Sequence, residues 1–237
     1  MLKKLIQLLL ICLALLFSGG VLAENGLELV APGGGEVDLQ GDVMKYYAAG
    51  SDLVVARWGI FTLETKLLEY QRDKAVLKGS GMAKLTQKEP RRTLVSDQIF
   101  ADLNQERFIA NGAVKLKYDE ITDISGERLD WEHQTERFEL EKNVTINYSG
   151  WKMTGEKVEG DLNSGMFTVY GPVQAVNKED CMRAGRVIFD RASEKVTLLE
   201  NPVVINGKNE LAATEIVYDL KTKKISAIGL VKSRMIE

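Results

Sequence analysis

The sequence predicts an all-β protein assembled from repeated units. Three observations carry that expectation: an apolar residue that returns every 29 to 31 positions, alternation with period two inside each unit, and acidic turn-formers at a constant offset. With Leu68 as the first anchor, apolar residues recur at Ile99, Leu129, Val158, Val187 and Ile216. Nine residues beyond each stands another: Leu77, Phe108, Phe138, Phe167, Val196 and Ile225. Fifteen beyond come Ala83, Val114, Val144, Val173, Pro202 and Val231, with Val203 one place later as the apolar residue of the fifth unit. "SGMAKL" at 80–85 and "NGAVKL" at 111–116 are therefore one rung of a ladder, written twice.

Within "DQIFADLNQERFIANGAVKL", Ile99, Ala101, Phe108, Ala110, Val114 and Leu116 fall on alternate places in three short runs. Leu129, Trp131, Phe138, Leu140, Val144 and Ile146 repeat the pattern, as do Val158, Gly160, Phe167, Val169, Val173 and Ala175. Alternation of this kind turns one face of each strand toward a core and the other toward water. Three places after the anchor stand Gln71, Asp102, Glu132, Asp161, Asp190 and Asp219, mostly followed by turn residues, which predicts a hairpin between the first two runs. Thirteen places after it, Gly81, Gly112, Gly171 and Gly229 predict a bend or bulge before the third run.

The repeat domain is expected to span residues 43–237, opening with a shorter unit made of "DVMKYY", "DLVVA" and "WGIFTL". The Gly-rich segment 24–42 reads as an edge strand or a flexible lead. Residues 1–23 have the layout of a secretory signal peptide: "MLKK", then an apolar run, then "VLA" before Glu24, with cleavage expected after Ala23. The alternative is an uncleaved membrane anchor, since the apolar run nearly reaches the ~17 residues a span requires. Cleavage would leave Cys181 as the one cysteine, so the exported chain would fold on its core alone, with no internal disulfide.

A net charge of −3 and a pI near 5.5 argue against a nucleic-acid partner, which calls for a basic face. His133 is the one histidine and reads as a solvated turn residue, so neither a metal site nor a triad is expected. Cys181 lies between acidic residues that oppose a reactive thiolate, and reads as a spare thiol. "NVT" at 143–145 matches a glycosylation acceptor but reads as strand. The recurring Asp and Glu read as turn chemistry. No nucleophile, base or cofactor constellation is present, so no enzyme is expected. The loop "TQKEPRRT" brings Lys88, Arg91 and Arg92 together, where they could meet lipid phosphates or simply face solvent.

The inward positions mix large apolar residues with small ones, among them Gly79, Ala101, Ala110, Gly160 and Ala227. Two readings stay open: close packing of two sheets, or an incompletely filled apolar groove able to take acyl chains. The second is energetically attractive, because burying a chain is worth ~0.8 kcal/mol per CH₂.

The units "SDQIFADLNQERFIANGAVKL" and "GEKVEGDLNSGMFTVYGPVQA", their return near 30 residues and the exported N-terminus resemble the LptA/OstA-type lipopolysaccharide-transport proteins, over about residues 42–231. The resemblance implies an elongated, twisted β-jellyroll of two antiparallel sheets that stacks end to end with like folds. It implies a periplasmic bridge carrying lipopolysaccharide, or a similar multi-acyl lipid, from an inner-membrane extraction complex to an outer-membrane β-barrel assembly. It supplies neither catalytic residues nor a cofactor. The lipid contacts it implies are interior side chains, by position Ile99, Phe108, Val114, Leu129, Phe138, Val144, Val158, Phe167, Val173, Val187 and Ile216. A membrane-anchored relative of the LptC type shares the implied fold and keeps the uncleaved anchor open. A β-repeat scaffold with a packed interior is the rival from another class.

Overall fold

The computed structural model describes residues 21–22, 26–38 and 42–235. The expected leader lies outside the described residues, apart from Val21–Leu22. Short strands open the chain: β1 (Val21–Leu22), β2 (Glu28–Val30), β3 (Gly35–Asp38), β4 (Val43–Tyr47), β5 (Val54–Trp58), β6 (Phe61–Thr65) and β7 (Leu67–Gln71). Eight long ones follow: β8 (Val76–Gln87), β9 (Arg92–Asp102), β10 (Arg107–Lys117), β11 (Thr122–Glu132), β12 (Arg137–Tyr148), β13 (Trp151–Asp161), β14 (Met166–Val176) and β15 (Asp180–Asp190). Short strands close it: β16 (Lys195–Leu199), β17 (Val203–Asn206), β18 (Asn209–Ala212), β19 (Glu215–Asp219), β20 (Ile225–Ile228) and β21 (Lys232–Arg234). The described residues hold one turn of 3-10 helix, Arg72–Lys74.

All the pairings are antiparallel, and they define two layers of one folded, twisted sheet. In layer A the order is β3, β4, β7, the first half of β8, then alternate halves through β15, then β16, β19 and β20. In layer B it is β1, β2, β5, β6, the other halves of β8 to β15, then β17, β18 and β21. Layer A holds 14 strands or half-strands by this order, and at about 4.8 Å between strands it runs about 60 Å. A half-strand of five residues spans only ~17 Å, so the body is elongated.

What folds the sheet is the glycine column seen in the sequence. Gly81, Gly112, Gly171 and Gly229 have φ of 81°, 77°, 93° and 86°, and the equivalent Lys142 and Glu200 are also left-handed, at 63° and 65°. At this column β8, β10, β12 and β14 each carry one residue more than their neighbours, and the ladder shifts register. An added residue bends a strand. Repeated along the molecule, it makes a corner line. The second and third runs of a unit are thus one bent strand rather than two, because the bulge interrupts pairing without ending it.

The predicted turn residues close the far ends of layer A. Asp102 Oδ1 accepts the backbone N–H of Asn104 and Gln105, both at 2.9 Å. Asp161 does the same for Asn163 and Ser164, and Asp190 for Ala192 and Ser193. These bonds, with burial opposing, hold the Asp161 carboxyl below its ordinary range.

Four expectations change. "TQKEPRRT" is half strand, and only its middle four residues, 88–91, form the turn. In the fifth unit Pro202 and Val204 face inward and Val203 is half-buried, because left-handed Glu200 and Asn201 set the phase of β17. In the sixth unit Val231 is 47% exposed and Ile225 38%, since no further rung among the described residues covers them. His133 is packed rather than solvated, edge-on to Phe61 with ring centroids 4.9 Å apart.

Candidate functional site

The apolar side chains of both layers meet in one continuous cluster running from Leu27 to Tyr218. Layer A contributes Ile99, Phe108, Leu129, Phe138, Val158, Phe167, Val187 and Ile216, and layer B contributes Val114, Val144 and Val173. All eleven face this interior and none is more than 4% exposed. Aromatic contacts cross between the layers. Phe61 lies 4.8 Å from Phe108, Tyr148 lies 4.9 Å from Phe189, and Trp151 meets Tyr218 at 5.6 Å.

The small inward residues receive large neighbours. A Cβ on Gly160 would stand 2.2 Å from Phe138 Cε1, and one on Gly79 would stand 3.3 Å from Ala83 and Thr65. The Phe138 ring occupies the place a side chain at 160 would take. An apolar cavity of about 20 Å³ lies among Ile146, Trp151, Met153, Met182, Phe189 and Leu220. That volume is of the order of one water.

The interior is closed differently on its two long sides. On one, the backbone itself turns the corner. On the other, the turns of layer A meet the turns of layer B through side chains. Arg92 Nη1 donates to Glu136 Oε2 at 2.5 Å, and its Nη2 donates to the Leu162 carbonyl at 3.0 Å. The Tyr118 hydroxyl donates to that same carbonyl at 2.6 Å. Arg191 pairs with Asp119. Tyr148 donates to Glu194 at 3.1 Å, and Lys223 reaches Glu179 at 2.7 Å. Arg92 to Glu136, Tyr118 to Leu162 and Glu179 to Lys223 each span 44 residues, one and a half repeat units. The stagger of the two layers is a consequence of the repeat length.

Burial, and then the bond to Glu194, push the Tyr148 hydroxyl above its ordinary value. Near the C-terminal end, buried Asp180 accepts from Asn206 at 2.6 Å and from Tyr218 at 2.8 Å, which ties layer B to layer A. Burial pushes the Asp180 carboxyl up, but these bonds and one from Asn177 together outweigh it and hold it below the ordinary range.

The three basic candidates separate. Lys88 and Arg91 are exposed in their turn, whereas Arg92 points inward and is 5% exposed. Sequence reasoning missed Tyr118, Asp119, Glu136, Leu162 and Arg191 as seam residues. A signal was available: Leu103, His133, Leu162, Arg191 and Leu220 all stand four places after an anchor, at the seam end of each unit. His133 Nδ1 lies 3.0 Å from Glu136 Oε1, an ion-pair distance without hydrogen-bond geometry. The Asn143 amide, in the glycosylation-like triplet, donates to Glu127 at the corner while Val144 faces inward. Cys181 sits half-buried within β15. Among the described residues no His, Cys, Asp and Glu group is arranged to hold a metal, and no helix is long and apolar enough to cross a membrane.

No protein-family model matches the chain, and no curated protein matches it by sequence. Among solved structures, it is similar to LptH, the LptA-homologous periplasmic component of the lipopolysaccharide transport device of Pseudomonas aeruginosa. The TM-score is 0.46 at 16% identity, over 49% of this chain and 95% of that one.

Proposed function

We propose that this protein is an exported carrier that holds the acyl chains of lipopolysaccharide, or a similar multi-acyl lipid, between its two layers. The observation that carries this reading is the asymmetry of closure: backbone along the corner line, side chains along the seam. A sheet hinged on one side and latched on the other can part without breaking its ladder. The neutral seam bond from Tyr118 to the Leu162 carbonyl is worth about 0.5–1.5 kcal/mol net, and each bond that involves a charged group about 1.5–3. A buried chain of about a dozen carbons gains roughly 10 kcal/mol. The guest must also replace the packing it displaces, and the inward Phe and Val residues offer it the same apolar surroundings.

In this reading the chain works in the periplasm as one link of a bridge. It would take lipid from an inner-membrane extraction complex and pass it to an outer-membrane β-barrel assembly. The uncovered C-terminal rung supports docking with a like fold, since Ile228 is 54% exposed and Leu230 72%, beside an open strand edge. Loss of the leader after Ala23 would remove β1 and open the β2 edge at the other end. An uncleaved leader would make the chain a membrane-anchored component of the same system.

A second reading, a β-repeat scaffold that carries no lipid, is favoured by the close fit of Phe138 over Gly160. One experiment separates the two. A photocrosslinking residue replaces inward Phe138 or outward Glu139 in cells, and the purified full chain is analysed by mass spectrometry for bound lipid. A carrier yields lipid adducts at 138 and few at 139. A scaffold yields none at either position and no co-purified lipid.

A further inference from the structure

The middle of the seam is built differently from its ends. Two cations flank the ring of Tyr118, with the Arg92 guanidinium 5.2 Å from its centroid and the Arg191 guanidinium 5.1 Å. The two cations thus lie within about 10 Å of each other. Each is met by one carboxylate of the opposite layer, Glu136 for Arg92 and Asp119 for Arg191. Arg191 Nε is buried with no protein partner, so the site has donors to spare. Directly beneath, the Tyr118 ring stands edge-on to Phe167 at 5.9 Å, and Phe167 to Phe138 at 5.8 Å. Charge within the seam and continuous apolar contacts below it match a molecule with an anionic head and acyl tails.

We propose that Arg92, Tyr118 and Arg191 form a receiving site for the phosphate of a phosphorylated acyl lipid, and that Glu136 and Asp119 occupy it when no lipid is bound. The inference rests on the carrier reading and adds to it the headgroup class and the point of entry. A phosphate offers three acceptor oxygens, and arginine forks meet such groups bidentately. Exchange of the carboxylates for phosphate releases both inter-layer ion pairs at once. The headgroup then unlatches the seam at the place where its chains must enter. Lipid without an anionic head lacks that key.

The test uses the purified full chain in a neutral detergent and measures binding by native mass spectrometry. The probes are phosphatidic acid, diacylglycerol with the same acyl chains, and inorganic phosphate as competitor. The expected result is about tenfold tighter binding of phosphatidic acid than of diacylglycerol, the size of one charge-assisted hydrogen bond. Arg191→Gln, and Arg92→Gln where it folds, reduce that ratio toward one while diacylglycerol binding persists. Asp119→Asn, by freeing Arg191 and releasing one ion pair, raises phosphatidic acid binding several-fold and diacylglycerol binding less, so that the ratio between them grows. A merely structural node predicts the opposite for Asp119→Asn, and weaker binding there would overturn the assignment. Equal binding of both lipids by the unaltered chain would overturn the headgroup site and leave the carrier reading standing. Binding of neither would remove both. Inorganic phosphate that abolishes the preference at millimolar levels would reassign the arginines to free phosphate.

Discussion

Arg92 on layer B and Glu136 on layer A join at 2.5 Å across the seam, with side chains only 5% and 8% exposed. Two charges removed from water are tolerable only because each satisfies the other, and Arg92 also reaches the Leu162 carbonyl. The pair costs much to break and little to replace.

Removal of one partner therefore destabilises more than removal of both. Arg92→Ala is expected to cost about 3–5 kcal/mol by leaving Glu136 buried and uncompensated. The double change Arg92→Met with Glu136→Leu should fall within about 1–2 kcal/mol of the unaltered protein, or gain slightly. Urea unfolding of the three chains measures the difference. A double variant that loses more than Arg92→Ala alone would overturn this account, because additive losses mark an uncoupled pair.

The corner column predicts opposite signs at equivalent places. A Cβ on Gly112 would stand 2.2 Å from Asp97 Oδ2, and one on Gly171 2.7 Å from Glu156 Cγ, both at positive φ. Gly171→Val should cost about 2–3 kcal/mol, combining the left-handed penalty with the clash. Lys142→Gly relieves the left-handed penalty of about 1–2 kcal/mol and loses about 0.5–1 to chain entropy, for a net gain of up to about 1.5. Thermal melts of the two variants read both signs.

The Tyr218–Asp180 bond makes stability depend on pH at both extremes. The folded Asp180 carboxyl lies below its unfolded value, so its contribution is present above about pH 3.9 and is lost as pH falls through the folded value. Burial and the Asp180 bond push the Tyr218 hydroxyl up, so its contribution is full below about pH 10 and disappears as pH rises further. Asp180→Asn should flatten the acid limb and Tyr218→Phe the alkaline one. Denaturant midpoints measured across pH check this, and unchanged slopes in either variant would argue against the assignment.

The open C-terminal rung predicts concentration-dependent association. Ile228→Lys with Leu230→Lys places charge on exposed side chains and should leave the melting temperature unchanged while abolishing larger species. Light scattering that finds only monomer in the unaltered chain at high concentration removes the prediction.

Much of this architecture was legible before any coordinates. The alternation of Phe108, Ala110, Val114 and Leu116 gave the buried face of β10, because side-chain direction in a strand is local. Asp102 and Asp161 marked turns because their bonds close within three residues. Arg92 read as a loop cation and is instead buried, since its environment comes from Glu136 and Leu162, which belong to other turns. The Phe138 ring over Gly160 was equally unreadable: a small inward residue is consistent with a groove or with a neighbour that fills it.

Taken alone, the order of residues settled the unit length, the inward face and the column where each strand must bend. Which turns meet, and whether anything hollow survives between them, was decided only when the bent sheet closed on itself. Local backbone preference sets the first group. The second depends on contacts some 44 residues apart, whose existence requires every corner between them to bend the same way.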